Sequence, residues 1–505
     1  MNAAFLKGGL ALAALALLSA CNESVEPLDL AGPGASLAIA GGDGQVGAVG
    51  DSLPQLLTVK VTDDSGRAVP GYAVAWTTTG GELSATRDTT GNDGVAGVAL
   101  TLPATPDTVL VSAEVEGFQS VTFRAAATPA GAPLIFRYVD AGSYHACGIT
   151  TSEQEYCWGF NEDGQAGTGT ISTVAPITQV SSNLTARMSS GGRYHTCEVT
   201  LSGDIWCAGS NSVGQVTGEP SSPVTTFTND NWSISTSFRV VQAGLLHSCA
   251  LSLSSQIWCW GSNGEGQIGV SPVITPGASL DPSYVGDGFS AVTTTGLHTC
   301  AITTSGAAEC WGWGTSGQLG DGADTSSGIP VAVAGGHLFR INPVIEQAPD
   351  PDFYIPGQSF ISAGYAHTCG ITTASAAFCW GENENGQLGT GGTTDANAPA
   401  TVAGGLQFKA ISAGYRHTCA ITLTGAAYCW GDNALGELGD GTTTDRLVPT
   451  AVAGGLAFMS ISAGDTFTCG VTTEGAAYCW GDNEYGQLGQ SGIAGSTEPV
   501  KLPFQ

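Results

Sequence analysis

Charged side chains are scarce in this 505-residue sequence, and positive ones are the scarcest. Charged residues make up 11% of the chain, with 14 Lys and Arg against 43 Asp and Glu, so the formal net charge at pH 7 is −29. Such a chain repels the phosphate backbone of nucleic acids, and no run of Lys and Arg along the sequence offsets that repulsion. We therefore predict that nucleic acid is not a partner.

Long apolar runs are also scarce. The clearest lies between Leu10 and Leu18, after Lys7, and is too short to span a bilayer as a mature helix. It ends in Leu18-Ser19-Ala20-Cys21, which resembles a bacterial lipobox and implies that Cys21 is diacylated. The alternative is an ordinary cleaved signal followed by a free cysteine. Because Asn22 follows rather than Asp, we expect a lipoprotein of the outer membrane or cell surface, held to the membrane only by its lipid.

Unpaired cysteines are nearly lacking, because all the cysteines except Cys21 form seven pairs with nine residues between the members. The pairs are Cys147/Cys157, Cys197/Cys207, Cys249/Cys259, Cys300/Cys310, Cys369/Cys379, Cys419/Cys429 and Cys469/Cys479. Their first members are about 50 residues apart, with one longer interval before Cys369. A period of that length indicates a repeat architecture.

Each copy of the repeat reads as four short strands. The clearest copy runs from Ile361 to Gly391 (ISAGYAHTCGITTASAAFCWGENENGQLGTG), and it returns at Ile411 and Ile461. One strand ends in Ala-Gly, a second passes through His-Thr-Cys, and a third enters Cys-Trp-Gly before a glycine-rich turn. This is the pattern of a propeller blade. The repeat resembles that of the regulator of chromosome condensation family, which implies a seven-bladed β-propeller over residues 129–505.

The paired cysteines lie on consecutive antiparallel strands at equal offsets from a tight turn, so they face each other with Cα atoms about 4.5 Å apart. In an oxidising envelope this favours seven disulfides, each within one blade. The alternatives are reduced thiols or zinc held by the cysteines and the nearby His. Phe467 replaces that His in the last copy while Cys469 and Cys479 remain, which argues against zinc. We predict no metal and no other cofactor, and we interpret the repeated His and Trp as packing residues.

A separate β-domain precedes the repeats. Apolar residues alternate from Leu56 to Asp63, around Trp76 and from Val95 to Leu102, with Asp-Ser-Gly and Asn-Asp-Gly turns between the runs. Residues 36–128 resemble the bacterial immunoglobulin-like domains of the invasin and intimin type, which implies a β-sandwich that serves as a stalk. With a signal peptide at 1–21 and a flexible tether at 22–35, the prediction is an all-β protein of two domains.

The two ends of the repeat region suggest how the ring closes. Each blade boundary carries Pro-x-x-Val followed by an apolar strand, but the first blade has only the apolar strand from Phe136 to Val139. A matching segment, Pro499 to Leu502, stands at the C-terminus. We therefore predict that the last residues complete the first blade and leave no open sheet edge there.

Breaks in the repeat are the candidate binding sites. The largest is an insertion of about eighteen residues at 341–359, on a kind of loop that often carries recognition. It brings together acidic and aromatic residues, and two further aromatics stand in other irregular stretches. The candidate binding residues are Glu346, Asp350, Asp352, Phe353, Tyr354, Trp232 and Tyr284. An insertion without a function is the alternative.

No Ser/His/Asp set, paired carboxylates or similar constellation points to catalysis, so we predict no catalytic residues and no enzymatic activity. The function we predict is a protein-binding scaffold, displayed at the cell surface or in the envelope. The family resemblance implies one alternative, guanine-nucleotide exchange on a small GTPase. Another alternative is a secreted enzyme inhibitor of the propeller type.

Overall fold

The computed structural model describes residues 36–503 except residues 44, 54, 106, 129–133, 181–184, 230–235, 271–278, 342–359 and 491. The described chain is almost entirely β-strand, with two short 3-10 helices at Ala334–Gly336 and Ala453–Gly455, and the all-β prediction is confirmed. Neither of these described helices has the length and apolar character needed to cross a membrane. Cys21 and the tether at 22–35 lie outside the described residues.

The N-terminal domain is a β-sandwich. One sheet has the order β1-β3-β7, the other has the order β2-β10-β9-β4-β6, and a short pair joins β5 to β8. The strands are β1 (Ser36–Gly41), β2 (Gln45–Ala48), β3 (Leu57–Thr62), β4 (Ala73–Thr78), β5 (Glu82–Leu83), β6 (Arg87–Thr89), β7 (Val95–Val98), β8 (Leu100–Thr101), β9 (Asp107–Glu114) and β10 (Val121–Thr128). Alternate residues of β3 are buried and join a core that contains Trp76 and Phe123, as the period of two predicts.

Residues 136–501 form seven four-stranded antiparallel sheets, one for each copy of the repeat. Blades 1 to 3 consist of β11 (Phe136–Ala141), β12 (His145–Thr150), β13 (Glu155–Asn161), β14 (Ser172–Gln179); β15 (Ala186–Gly191), β16 (His195–Thr200), β17 (Ile205–Gly209), β18 (Val224–Thr228); and β19 (Phe238–Ala243), β20 (His247–Ser252), β21 (Gln256–Gly261), β22 (Ser279–Asp287). Blades 4 and 5 consist of β23 (Phe289–Thr294), β24 (His298–Thr303), β25 (Ala308–Gly312), β26 (Ser327–Ala332); and β27 (Ile361–Ala363), β28 (His367–Ile371), β29 (Ala377–Gly381), β30 (Ala396–Thr401). Blades 6 and 7 consist of β31 (Phe408–Ala413), β32 (His417–Thr422), β33 (Ala427–Gly431), β34 (Arg446–Ala451); and β35 (Phe458–Ala463), β36 (Phe467–Thr472), β37 (Ala477–Asp482), β38 (Gly495–Lys501).

The first strand of each blade is the innermost one. First strands of neighbouring blades contact each other, and their residues line the cavity on the propeller axis. Burial falls outward, because β32 in the second position is buried at every residue while β30 in the fourth position is only half-buried. This outward decrease in burial explains why the second and third strands contain the most regular part of the repeat.

The prediction about ring closure is wrong. β38 pairs with β37 in the seventh blade, so the C-terminal strand completes its own sheet rather than the first one. Each Pro-x-x-Val segment belongs to the outer strand of the blade before it, as Val402 shows by donating its N–H to the carbonyl of Ala377. The ring closes instead through contacts between blades 7 and 1, where the Trp158 indole donates to the carbonyl of Gln487 (2.9 Å).

Each predicted cysteine pair is joined by a disulfide within one blade. The paired cysteines stand directly opposite each other, as in the register of β12 and β13, with Cα atoms 4.0–4.1 Å apart. All fourteen are buried, so each bond ties the second strand to the third at the most deeply buried level of the blade. The bonds are Cys147–Cys157, Cys197–Cys207, Cys249–Cys259, Cys300–Cys310, Cys369–Cys379, Cys419–Cys429 and Cys469–Cys479.

Candidate binding site

Six of the seven blade interfaces share one hydrogen bond between a histidine and a hydroxyl group of the next blade. The histidine Nε2 and the hydroxyl oxygen are 2.7–2.9 Å apart. The pairs are His145–Thr196, His195–Ser248, His247–Thr299, His298–Thr368, His367–Thr418 and His417–Thr468. The repeated His therefore has an interblade role, in agreement with a structural interpretation.

The hydroxyl group determines which nitrogen of the histidine ring carries the hydrogen. Thr418 donates its own hydrogen to the carbonyl of Gln387 (2.8 Å), so the Nε2 of His367 must be the donor in its bond to Thr418. Burial lowers the pKa of the six imidazoles to about 3 or 4. The rings are therefore neutral at physiological pH and sealed from solvent, which suits them to packing rather than to acid–base catalysis.

The disulfides lie beside the same hydroxyl groups. In five blades the sulfur of the first cysteine is 3.7–3.8 Å from the hydroxyl oxygen of the next blade, as for Cys369 and Thr418. The second cysteine of each pair stands on the third strand and faces its disulfide partner inside the blade. These second cysteines are Cys157, Cys207, Cys259, Cys310, Cys379, Cys429 and Cys479. Because all fourteen are buried, the cysteines belong to the scaffold and not to a binding surface.

The tryptophans complete the network. The Trp430 indole donates to the carbonyl of Gln387 (2.9 Å), which is the acceptor that Thr418 also uses. Equivalent bonds connect Trp260, Trp311 and Trp480 to the preceding blade. In blade 2 the position is Ala208, so its interface with blade 1 has no such indole bond.

The interface between blades 7 and 1 departs from this pattern on both sides. Phe467 stands where the other blades have His, and Ala146 stands where they have Thr or Ser. Both are fully buried and belong to one hydrophobic cluster. Because neither partner offers a polar group, the two departures compensate each other, and the ring closes through an apolar contact.

We expect Phe467→His alone to lower the free energy of unfolding by about 1–3 kcal/mol, because a buried imidazole would lack its hydroxyl partner. Adding Ala146→Thr supplies that partner and is expected to restore at least half of the loss. Denaturant unfolding of the parent, both single variants and the double variant measures the coupling. Strictly additive effects would contradict the compensation.

A cluster of polar groups interrupts the interface between blades 1 and 2. Glu155 and Glu198 replace the Ile, Ala or Gly of the other blades and are 6% and 0% exposed. Their carboxyl groups face each other beside Ser189 and Tyr138, and none of these neighbours is positively charged. Two ionised carboxylates that face each other repel, so one of the two groups must hold a proton. Burial raises the pKa of both groups.

Glu155 of this carboxyl pair also lies near two of the cysteines that the alternative interpretation assigns to zinc. A carboxylate oxygen of Glu155 lies within 4.8 Å of the sulfur atoms of Cys147 and Cys157. Those sulfur atoms are bonded to each other, so they offer no thiolate to a metal.

Six partly exposed aromatic residues gather at the end of the propeller where the first strand of each blade turns into the second. One group contains Tyr144, Phe160 and Tyr485, with ring centroids 5.0–6.3 Å apart. The other contains Trp313, Tyr365 and Tyr415, where Tyr365 lies 5.9 Å from Trp313 and 4.3 Å from Tyr415. We call these six residues the aromatic collar.

Two arginines lie on the collar. The Arg193 guanidinium is 5.5 Å from the ring centroid of Tyr144 and 3.8 Å from the carboxylate of Asp465, and Arg416 is 5.4 Å from the ring of Tyr415. Burial raises the pKa of Asp465 to about 6, although Arg193 opposes the shift. Planar cations on aromatic faces are common at protein interfaces.

The axial cavity beside the collar is too small for a substrate. Its volume is about 80 Å³, and Ser190, Thr293 and Ser412 contribute to its polar wall. Sites for small organic ligands are several times larger, whereas this space suits a few water molecules. Recognition at this end of the propeller therefore depends on the surface.

Of the binding residues predicted from breaks in the repeat, Tyr284 is the one that lies among the described residues, and it is not part of the collar. Tyr284 lies on the outer strand of blade 3, where it is 42% exposed and its ring is 5.2 Å from that of Trp258. The other six candidates, Glu346, Asp350, Asp352, Phe353, Tyr354 and Trp232, lie outside the described residues. The residues that flank the insertion lie at the opposite end of the propeller from the collar, where the Arg340 N–H donates to the carbonyl of Ile371 and the Phe360 carbonyl accepts from the N–H of Ile371.

Sequence reasoning missed the collar because its members are spread over more than 300 residues. A signal was available in the two positions between Gly and His of the repeat, which read Ser-Tyr, Arg-Tyr, Tyr-Ala and Tyr-Arg in blades 1, 2, 5 and 6. These positions vary within an otherwise regular frame. Variation of this kind on one end of a ring marks a surface that the scaffold itself does not determine.

Comparison with known families and structures agrees with this architecture. The RCC1-like domain matches residues 241–505, an RCC1 repeat matches residues 136–165, and a bacterial Ig-like domain of group 1 matches residues 50–128. Human WBSCR16 superposes with a TM-score of 0.59 at 18% identity, covering 69% of this chain and 93% of that one. Prp20p of Saccharomyces cerevisiae, which binds Gsp1p and histones, superposes with a TM-score of 0.58 at 18% identity, covering 74% and 88%.

Relatives in sequence match about a third of this chain. The ultraviolet-B receptor UVR8 of Arabidopsis thaliana is 35% identical over 170 residues, which cover 32% of this chain and 34% of the receptor. The probable E3 ubiquitin-protein ligase HERC6 of Homo sapiens is 32% identical over 167 residues, which cover 32% of this chain and 15% of the ligase. The chain thus spans about a third or less of these relatives. With the RCC1-like domain matching more than half of its length and seven blades in its structure, the chain belongs to the RCC1-like domain family.

Proposed function

We propose that this chain is a non-catalytic scaffold that recognises a protein partner through its propeller, with the sandwich domain as a stalk. Export and lipid attachment at Cys21 belong to the same proposal and are supported by the lipobox-like sequence. Seven disulfides favour an oxidising compartment. In the family, Prp20p binds proteins, so a protein partner is consistent with the fold.

The observation that carries the proposal is the aromatic collar. Its rings remain partly exposed while the rest of the propeller interior is packed, and aromatic residues with Arg are the side chains that contribute most to protein interfaces. Acidic residues lie at the same end, since Glu162, Glu384 and Glu484 occupy one exposed loop position in blades 1, 5 and 7. The collar therefore suits a partner that presents apolar and positively charged side chains.

Two other functions are less well supported. Guanine-nucleotide exchange would follow from the resemblance to the regulator of chromosome condensation, but it requires contact with a cytosolic GTPase, which export would prevent. Inhibition of an enzyme is one form of the proposed protein binding, and the acidic, aromatic collar is compatible with it. Neither has an observation of its own in the described residues.

The collar can be tested with a double variant, Tyr365→Ala with Tyr415→Ala. Removing both rings from a stacked pair is expected to weaken binding at least tenfold to a partner cross-linked to this end of the propeller. The melting temperature should change by no more than about 3 °C, because the rings are partly exposed. Cross-linking in envelope extract identifies the partner, and surface plasmon resonance measures the affinity.

Tyr284→Ala is the matched control, because it removes an exposed Tyr from the outer strand of blade 3. Its affinity should equal that of the parent chain. If Tyr284→Ala weakens binding and the double variant does not, recognition takes place on the outer strands and the collar is not the site.

A further inference from the structure

Positive charge in the propeller is concentrated at one structural position. Residues 129–505 contain nine of the chain's Lys and Arg residues, and five of them follow the first residue of an innermost strand. These five are Arg137, Arg187, Arg239, Arg340 and Lys409. In blades 4 and 7 the same position is Ser290 or Met459. Because at least 50 residues separate one cation from the next, the sequence shows no cluster.

The fold brings these five residues to one end of the propeller. The innermost strands run side by side around the axis, so their second residues stand at the same level, at the end opposite the aromatic collar. In blade 5 the strand is interrupted, but Phe339 still pairs with Thr372 as Phe408 pairs with Thr422 in blade 6. Arg340 is therefore equivalent to Lys409. We call these five residues the basic ring.

Two of the guanidinium groups lie against the start of an innermost strand. The Arg239 guanidinium is 3.4 Å from the carbonyl oxygen of Phe289 and 3.5 Å from that of Ser290, both at the start of the next innermost strand. Arg340 lies over the ring of Phe360 at 4.9 Å. All five residues are half-buried, so their charges are less screened than those of fully exposed side chains.

Among the residues that the structure describes, negative charge near the basic ring is limited. Arg137 is 3.8 Å from the carboxylate of Glu153, and among the described residues no carboxylate comes within 4.0 Å of Arg187, Arg340 or Lys409. Burial lowers the pKa of Lys409. Cations that lie at one end of a ring repel each other. This local positive charge stands out in a chain whose formal charge is −29. A bound anion would relieve that repulsion.

We propose that the basic ring binds a multivalent oxyanion, with several phosphate or carboxylate groups, on the propeller axis. Four of its five members are Arg, whose planar forks bind two oxygens of such groups at once. Their arrangement around one axis suits a ligand with several negative groups better than a single ion. This site has the opposite charge preference from the aromatic collar and lies at the other end, so it is independent of the protein-binding proposal.

The test uses the full chain and a triple variant, Arg187→Ser, Arg239→Ser and Lys409→Met. Ser and Met already occupy this position in blades 4 and 7, so the variant should fold. Isothermal titration with inorganic tripolyphosphate at low salt is expected to show saturable binding that the triple variant weakens at least tenfold. Higher salt should weaken binding to the parent chain more steeply than to the variant.

A control variant removes the same charge elsewhere, with Arg67→Ser, Arg87→Ser and Arg124→Ser in the sandwich domain, and should bind as the parent does. Vesicles of phosphatidylglycerol in phosphatidylcholine, compared with phosphatidylcholine alone, distinguish a lipid headgroup from a free anion, and either result supports an oxyanion site. Equal binding by the parent and the triple variant would overturn the proposal. So would binding that appears only after residues 342–359 are deleted, because the ring would then be occupied by the chain's own acidic insertion.

Discussion

Replacing Glu155 by Ile and Glu198 by Ala together is expected to raise the free energy of unfolding by about 2–4 kcal/mol at pH 8. The substituted residues are those of other blades, since Ile stands at the position of Glu155 in blades 2 and 3 and Ala stands at that of Glu198 in blades 3, 4 and 6. The equivalent positions of other blades therefore already accommodate these two side chains. Chemical denaturation followed by tryptophan fluorescence measures the change.

The gain arises from desolvation. Both carboxyl groups are buried, and that of Glu155 lies beside the disulfide between Cys147 and Cys157. The groups that face them are Tyr138, Ser189 and each other, with Asp140 nearby. Because none of these is positively charged, ionising the pair costs free energy that a hydrophobic pair does not.

The pH dependence of the gain has a definite sign. The folded state raises the pKa of Glu155 and of Glu198, so the folded protein binds protons more tightly than the unfolded chain. This contribution to stability is present below the ordinary pKa of Glu and is lost as pH rises through the raised values. The double variant should therefore gain more at pH 8 than at pH 5. An equal gain at both pH values would contradict a proton-sharing pair.

Features that repeat within one blade could be predicted from the sequence. The cysteine pairs have equal offsets from a turn of known kind, so their pairing follows from local geometry, as it does for Cys419 and Cys429. The β-sandwich and the four-stranded blades follow from strand periodicity and turn residues for the same reason. Ring closure was harder, because Pro499 to Leu502 fits either the blade before or the blade after when only the order of strands is known.

Features made by different blades could not be predicted in the same way. Phe467 was visible as a departure from His, but its partner Ala146 lies in the first blade, at the far end of the repeat region, and sequence order does not state which blades touch. The same limit applies to the aromatic collar and the basic ring. In each case the residues occupy equivalent positions in several blades, so comparing blades by position, rather than searching for clusters along the chain, would have found them.

The second large expected effect is a loss of folding stability in acid, and it comes from the buried histidines. Burial lowers the pKa of His417 to about 4, below the ordinary value of about 6.5. Between these two values the unfolded chain binds a proton that the folded state does not, so stability falls as pH falls through this window. One such histidine contributes a loss of about 1.4 kcal/mol per pH unit and about 3 kcal/mol over the window.

Buried acids oppose this loss in the whole protein. Burial raises the pKa of Asp140 and of Asp465 to about 6, so each of these groups makes the folded state bind protons more tightly than the unfolded chain as pH falls below 6. The total slope of stability with pH therefore mixes two opposite contributions. A variant that replaces one histidine and its partner separates the histidine contribution from that of the acids.

His417→Phe with Thr468→Ala supplies that change, because it copies the apolar pair Phe467 and Ala146 into the interface between blades 6 and 7. The carbonyl of Glu437 loses the Thr468 hydroxyl but keeps the Trp480 indole at 2.8 Å, as the carbonyl of Gln487 keeps Trp158. We expect the stability curves of variant and parent to run parallel above pH 7. Below that, the variant should gain about 1.4 kcal/mol for each pH unit down to about pH 4, as measured by urea unfolding. Parallel curves throughout would mean that His417 takes up a proton as readily in the folded protein as in the unfolded chain, and the buried neutral hydrogen bond to Thr468 would have to be abandoned.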